Sequence, residues 1–251
     1  MRTRQRGHTL IEMMVALGLG TLVANASLSA YHSQRTAHVV AADIARIDEA
    51  GSVALDVLAW HLRMAGFAPL GMPRPDGLFA CSRARPVGQP SALVCEPLAS
   101  GSDGVLVRYV GDRASTWPTA QGLASDCLGQ GIGAEQGLVI NRFYARQSPS
   151  TGQPELHCEG SGRAGIGQAL VEGVERLRLR YWLRGVWLDA AQVDAWAQVG
   201  AVEVCVQVRG WLAGKTGRRF EDCDGRTVPA ADGRMRRIYR RIVAVRNQLA
   251  S

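Results

Sequence analysis

One continuous apolar run constrains this chain more than any other feature. Behind Arg2, Arg4, Arg6 and Gly7, the residues from His8 to about Tyr31 are mostly apolar. At helical rise such a stretch reaches roughly 30–35 Å, enough to cross a bilayer. One carboxylate, Glu12, interrupts it within "RGHTLIEMMVALGLG" (Arg6–Gly20). An ionised side chain in a membrane segment costs about 2.5–3.5 kcal/mol even on the mild insertion scale, so Glu12 calls for a partner.

Three readings compete. A secretory signal would use the basic leader, the apolar Leu10–Val23 and an A-x-A site at Ala24-Asn25-Ala26, leaving Ser27 as the first residue. An uncut anchor would keep Met1. Neither gives Glu12 a role. Cleavage between Gly7 and His8 would instead place a new α-amine one helical turn from Glu12, and the paired charges would largely offset each other's desolvation. Gly7, with no side chain, suits close approach of a protease to the backbone. The arrangement "G HTLIE" resembles the type IV prepilin signal, a short basic leader ending in Gly followed by an apolar helix with Glu at its fifth position. The resemblance implies cleavage by a prepilin peptidase, N-methylation of His8, and a helix that serves as membrane anchor and assembly stem. The sequence departs from the usual pattern at His8, where the family most often has Phe.

Past the anchor, Val40, Ile44, Ile47, Gly51, Ala54, Leu58, Leu62 and Ala65 recur every three or four residues, the stripe of an amphipathic helix. Gly66, followed by Pro69, marks its end. A single helix from His8 to Ala65 would be about 85 Å long, with Gly18, Gly20 and Asn25 as places where it could bend or unwind. From Phe67 onward short strand-like runs alternate with Gly- and Pro-rich segments: Val105–Val110, Leu138–Ala145, Val174–Leu183, Val202–Val208 and Ile238–Val245. Asp189 to Val199 reads as a short helix capped by Asp189. The expected fold class is α+β, with a cleaved leader (1–7), a transmembrane and assembly helix (8–30), an amphipathic periplasmic half-helix (31–66) and a β-rich domain (67–251).

The 251 residues, 47% hydrophobic and 20% charged, are those of an ordinary globular chain rather than a disordered one. Removing Met1–Gly7 leaves 26 basic against 22 acidic residues, so part of the net +7 is a targeting signal. Cys81, Cys95, Cys127, Cys158, Cys205 and Cys223 form no C-x-x-C pair and no zinc spacing. Scattered, even in number and downstream of a membrane-directed segment, they fit oxidation outside the cytoplasm. Many connectivities are open; pairing of neighbours, Cys81–Cys95, Cys127–Cys158 and Cys205–Cys223, is favoured because each pair brackets turn-rich sequence.

"LVEGVERLRLRYWL" (Leu170–Leu183), "VVAADIARIDEAGSVALDVLAWHLRMAGF" (Val39–Phe67) and "RRIVAVRNQ" (Arg240–Gln248) look like the PilW-type minor pilins of type IV pili, and the Gly-Val-Glu motif also occurs in J-type pseudopilins of type II secretion. The resemblance implies a pilin-like fold, a long helix on an antiparallel sheet, and a structural role in a complex that initiates pilus assembly and caps the fibre tip. Its implied partners are the prepilin peptidase, the other minor pilins, the major pilin, a large tip adhesin and the inner-membrane assembly platform. The implied place is the bacterial inner membrane, crossed once with the C-terminal domain in the periplasm, and then the pilus.

Little else points to chemistry, and no catalytic residue, metal site or cofactor is expected. Gly160–Gly165 formally matches G-x-G-x-x-G but lacks a preceding strand and following helix of the required kind, and Gly214-Lys215-Thr216 lacks the first Gly of a P-loop. "EDCDG" (Glu221–Gly225) gathers three carboxylates without a full calcium loop, so a solvated turn tied down by Cys223 is the plainer reading. Arg176, Arg178, Arg180 and Arg184 on one strand face, with Arg237, Arg241 and further arginines of 234–246, could form a positive sheet face. Such a face could contact DNA or an acidic partner pilin; the alternative is a solvated face that blunts edge-to-edge association.

Overall fold

A computed structural model describes residues 9–112, 115–133, 137–163, 165–214 and 217–248. The chain forms two compact units, Met1–Ala45 and Arg46–Ser251. Helix α1, Leu10–Met64, supplies the first unit and the opening element of the second. It is followed by β1 (Leu78–Cys81), β2 (Ala84–Gln89), β3 (Ala92–Pro97), β4 (Gly104–Gly111), β5 (Gly137–Gln147), β6 (Pro154–Gly160) and β7 (Gly167–Glu172). Then come β8 (Val174–Leu183), β9 (Val186–Leu188), β10 (Ala201–Arg209), β11 (Arg219–Glu221), β12 (Thr227–Pro229) and β13 (Arg236–Ala244).

From Leu10 onward the first unit is helix with its apolar side chains in the open: Leu10 is 80% exposed and Leu17 68%. The helix runs unbroken through Gly18, Gly20 and Asn25. Its polar side chains close onto the backbone: the Thr21 hydroxyl donates to Gly18 O (2.8 Å) and Asn25 Nδ2 to Thr21 O (2.9 Å). Polar groups satisfied within the helix need no water as partner.

In the second unit, the stripe on the remainder of α1 becomes core. Ile47, Ala54, Leu58, Leu62 and Ala65 are buried together with Leu55 and Ala59, against Val105, Val107 and Phe143 of one sheet and Val202, Val204 and Val206 of the other. Each large side chain so buried contributes about 1.5–3 kcal/mol. The helix stops as its sequence predicts. Gly66 takes φ +75°, its N–H donates to Arg108 O (2.9 Å), and Asn247 Nδ2 caps Arg63 O (2.8 Å).

Two antiparallel sheets carry the domain, one ordered β1-β4-β5-β6-β7 and one β13-β10-β8-β9, with β2–β3 and β11–β12 as separate hairpins. The chain passes from the first sheet to the second at a single residue, Gly173, between β7 and β8. Its φ of +87° makes the corner that a side chain would strain. Asp103, 2% exposed, ties the sheets together: its N–H donates to Leu177 O (2.8 Å), and its carboxylate accepts from Arg83 N, Leu179 N and Arg178 Nη1 at 2.8–3.0 Å.

The segment from Asp189 to Val199 differs from the single short helix expected. It holds two 3-10 turns, Ala190–Gln192 and Trp196–Gln198, separated where Val193 goes extended. Trp196 explains the break. Its ring packs edge-on to Tyr181 (centroids 5.0 Å) and against Phe79 (5.7 Å), and that docking outweighs a continuous but weak local helix. The disulfides are Cys81–Cys95, Cys127–Cys158 and Cys205–Cys223, with Cα separations of 5.6, 6.5 and 5.8 Å.

Candidate functional site: the stem terminus and the charged sheet

The processing residues Gly7 and His8 lie outside the described residues, and so does the leader 1–7. Glu12 is described. Its Oε2 accepts from Thr9 N (3.0 Å) and from the Thr9 hydroxyl (3.3 Å), while Glu12 N donates to Thr9 Oγ1 (3.3 Å). This is a reciprocal capping box, Thr-x-x-Glu, which satisfies orphan donors at a helix start. The motif stood in the sequence at Thr9–Glu12, but reading Glu12 only as a counter-charge passed over it. The two uses are compatible, because the same helix end that needs a cap also favours negative charge. An 18-residue window of α1 has mean hydropathy 1.6 and none of it is buried within the molecule, so by length and composition the helix can cross a membrane.

The arginines singled out in the sequence do not share one face. Cross-strand pairing sets Arg176, Arg178 and Arg180 opposite Gln207, Cys205 and Glu203, whereas Arg237 and Arg241 lie opposite Val208 and Val204. Alternation therefore puts the first three on the outer face and the last two on the face that meets α1. Arg184 sits apart, at φ +50° in the β8–β9 turn, with Asp194 at 3.4 Å.

Nearly all of these guanidiniums are committed. Arg178, its side chain 17% exposed, meets Asp103 (3.0 Å), Asp189 (2.8 Å) and Asp224 (2.9 Å). Burial works against its charge, but those three carboxylates prevail and hold its pKa above the usual arginine value. Arg176 pairs with Asp224 (2.8 Å), and Arg180 approaches Glu203 (3.8 Å). On the helix face Arg237 takes Asp48 (2.7 Å) and Arg241 takes Asp56 (2.5 Å). Tyr239, between them, donates to Asp48 (2.5 Å), and its ring fills the space where Gly51 has no side chain: an added Cβ would lie 2.2 Å from Tyr239 Cδ2.

The acidic turn "EDCDG" is the missing half of this arrangement. The Cys205–Cys223 bond fastens it over the outer face, where Asp224 receives Arg176 and Arg178. Asp222 closes the turn itself by accepting from Asp224 N (2.9 Å) and Arg226 N (2.8 Å). The turn is thus a countercharge tied down by Cys223: Asp224 receives guanidiniums and Asp222 backbone N–H groups, while Glu221 is exposed. The glycines of 160–165 likewise serve the protein. They lie at the β6–β7 turn, with Gly162 N donating to Asp126 Oδ2 (2.8 Å), and a Cβ on Gly160 would meet that carboxylate at 2.1 Å. Of Gly214-Lys215-Thr216, Lys215 and Thr216 lie outside the described residues.

One polar cluster escaped sequence reasoning. His61 Nδ1 lies 3.2 Å from Asn141 Nδ2 and 3.5 Å from the Tyr109 hydroxyl, and Asn141 Oδ1 accepts from Cys127 N (3.0 Å). Burial pushes His61 down to about 4 and raises the Tyr109 phenol, so the imidazole is neutral and Nδ1 accepts. Its position i+3 from Leu58 on the buried stripe was the available signal.

Among known families, residues 142–247 match the model described as type IV pilus-assembly protein W (PilW), and residues 2–24 match the prokaryotic N-terminal methylation motif. No curated protein matches, and no solved structure does. The first region spans most of β5 and continues through β13; the second spans the leader and the start of α1.

Proposed function

We propose that this chain, a PilW-type type IV pilus-assembly protein with an N-terminal methylation motif, acts as a minor pilin in the initiating and tip-forming complex. A prepilin peptidase cuts between Gly7 and His8, the new amine is methylated, and α1 holds the subunit in the inner membrane until it enters the fibre. The domain 67–251 then stands in the periplasm. Other minor pilins, the major pilin, a tip adhesin and the assembly platform are the proposed partners. The role is structural rather than catalytic.

The observation that carries this reading is the methylation motif placed directly on an apolar, unburied helix with an acid in its first turn. During assembly Glu12 offsets the amine of His8 when both leave water. In the uncut chain it also caps the helix, and two substitutions separate these roles. Glu12→Gln keeps a capping acceptor without the charge, whereas Glu12→Ala removes both. Both variants are expected to insert in the membrane, and both to fail in pilus formation and in co-purification with other minor pilins. Normal piliation in Glu12→Gln would sink the charge-neutralisation role.

Processing is tested by the intact mass and N-terminal sequence of protein from membranes of a host with a prepilin peptidase. A start at His8 with an added methyl group is expected; a start at Ser27 or retained Met1 overturns the pathway. Deletion separates a pilus role from that of a type II pseudopilin: loss of twitching with intact protein secretion is expected.

A further inference from the structure

Where the ends of the two sheets meet the β11–β12 hairpin, a cleft of about 490 Å³ opens, lined by Arg146, Arg176, Arg209 and Arg236 together with Glu175 and Asp232. Its charge does not balance. Arg176 is satisfied outside it by Asp224, and Arg236 is held by Glu175 (2.7 Å) and Asp232 (2.7 Å). Those two contacts use the two carboxylates of the lining.

Arg146 and Arg209 are left over. Arg209, its side chain 13% exposed, reaches Glu175 and Asp232 only at 3.7 and 3.9 Å. Its hydrogen bond goes to a neutral amide, Gln153 Oε1 (3.0 Å). Arg146 stands across the strand pair from Glu155, but the Glu155 carboxylate turns to a hydrogen bond with His157 Nε2 (3.0 Å) instead. Arg146 makes no ion pair among the described residues. The Nε–H groups of both Arg146 and Arg209 are buried without an acceptor. Burial, with Arg234 and Arg236 nearby, lowers the Arg209 pKa in spite of its distant acids. Partly buried guanidiniums with no close carboxylate are costly, and planar, forked donors match an oxyanion.

We propose that this cleft binds a small oxyanion: phosphate, or the phosphate group of a phosphorylated small molecule. The volume exceeds what a bare phosphate fills, and Phe220 and Pro229 add an apolar wall that an attached carbon skeleton could cover. The anion supplies the close negative charge that Arg146 and Arg209 lack. This inference is independent of the assembly role proposed above.

The test uses the full chain in mild detergent, titrated at constant ionic strength, with inorganic phosphate in one arm and glucose 6-phosphate in the other, chloride making up the balance. Saturable binding is expected, followed by calorimetry and by a rise in thermal midpoint above that in chloride. Equal affinity for both probes would identify a site that reads the phosphate alone; tighter binding of the ester would add the Phe220 wall. Arg146→Gln is expected to weaken binding about tenfold, the worth of one charge-assisted hydrogen bond. Arg146→Lys, which keeps the charge but loses the planar fork, should fall between. Arg237→Gln, whose pair with Asp48 lies elsewhere, should bind as the parent does. Absence of saturable binding for both probes, or equal weakening by Arg146→Gln and Arg237→Gln, overturns the proposal.

Discussion

Buried imidazoles, His61 foremost, make the stability of the domain depend on pH. His61 is held neutral down to about pH 4, while in an unfolded chain it takes up a proton near pH 6.5. Between these values the unfolded state binds more protons, so stability is complete above about pH 6.5 and falls as pH drops towards 4. The slope from this residue is at most about 1.4 kcal/mol per pH unit. His157 shifts in the same direction, through burial first and then Arg146, with Glu155 opposing. Urea unfolding of the parent in detergent should therefore show a lower midpoint at pH 4.5 than at pH 7.5. His61→Gln, which can still accept from Asn141, should reduce that difference without abolishing it; an unchanged difference would show that His61 protonates freely in the folded protein. The carboxylates act lower. Asp232, held down to about 2 by Arg236 against the cost of burial, gives a contribution that is lost only as pH falls from the ordinary aspartate range towards 2.

At the scale of elements, the junction between β7 and β8 is the most exacting position. Gly173 N–H donates to Pro154 O (2.7 Å), and its carbonyl accepts from Arg209 N (2.8 Å), so one residue is bonded to both sheets while it turns between them. A Cβ there would adopt a disfavoured φ and sit 3.3 Å from both Arg209 O and Val208 Cγ1. Gly173→Ala is expected to cost about 1–2 kcal/mol, the left-handed strain outweighing the entropy gained by stiffening the unfolded chain. Denaturant midpoints at constant slope would measure it, and a midpoint equal to the parent's would show that the corner can relax.

At the scale of the molecule, one of the three disulfides of the second unit fastens a hairpin that belongs to neither main sheet. The β11–β12 hairpin is tied to the sheet beneath by Cys205–Cys223 and by ion pairs of Asp224 with Arg176 and Arg178. Replacing both cysteines with Ala should cost about 3 kcal/mol, the value for closing a loop of this length. It should also free Asp224, leaving Arg176 without its closest carboxylate. Salt should then destabilise the variant less than the parent, since screening acts on pairs that are already loosened. Thermal midpoints at low and high salt would test this, and an equal salt response would mean that the hairpin stays docked without its bridge.

What the sequence determined by itself was everything carried by local periodicity and local chemistry. The apolar run, the three-and-four stripe from Ile47 to Ala65, the Gly66 stop and the alternating valines of Val202–Val208 each encode their element within a few residues, because burial repeats with the period of the backbone. The basic leader, Gly7 and Glu12 were equally legible, being a contiguous signal. Tertiary structure alone decided how charges distribute. Arg176 and Asp224 are far apart in sequence, as are Arg237 and Asp48, and nothing in either segment names its partner. A basic strand and an acidic turn looked like two surfaces until the fold laid one on the other. The leftover donors of Arg146 and Arg209 follow from the same fact: ion pairing is a property of distances, and distances between remote segments exist only once the chain has folded.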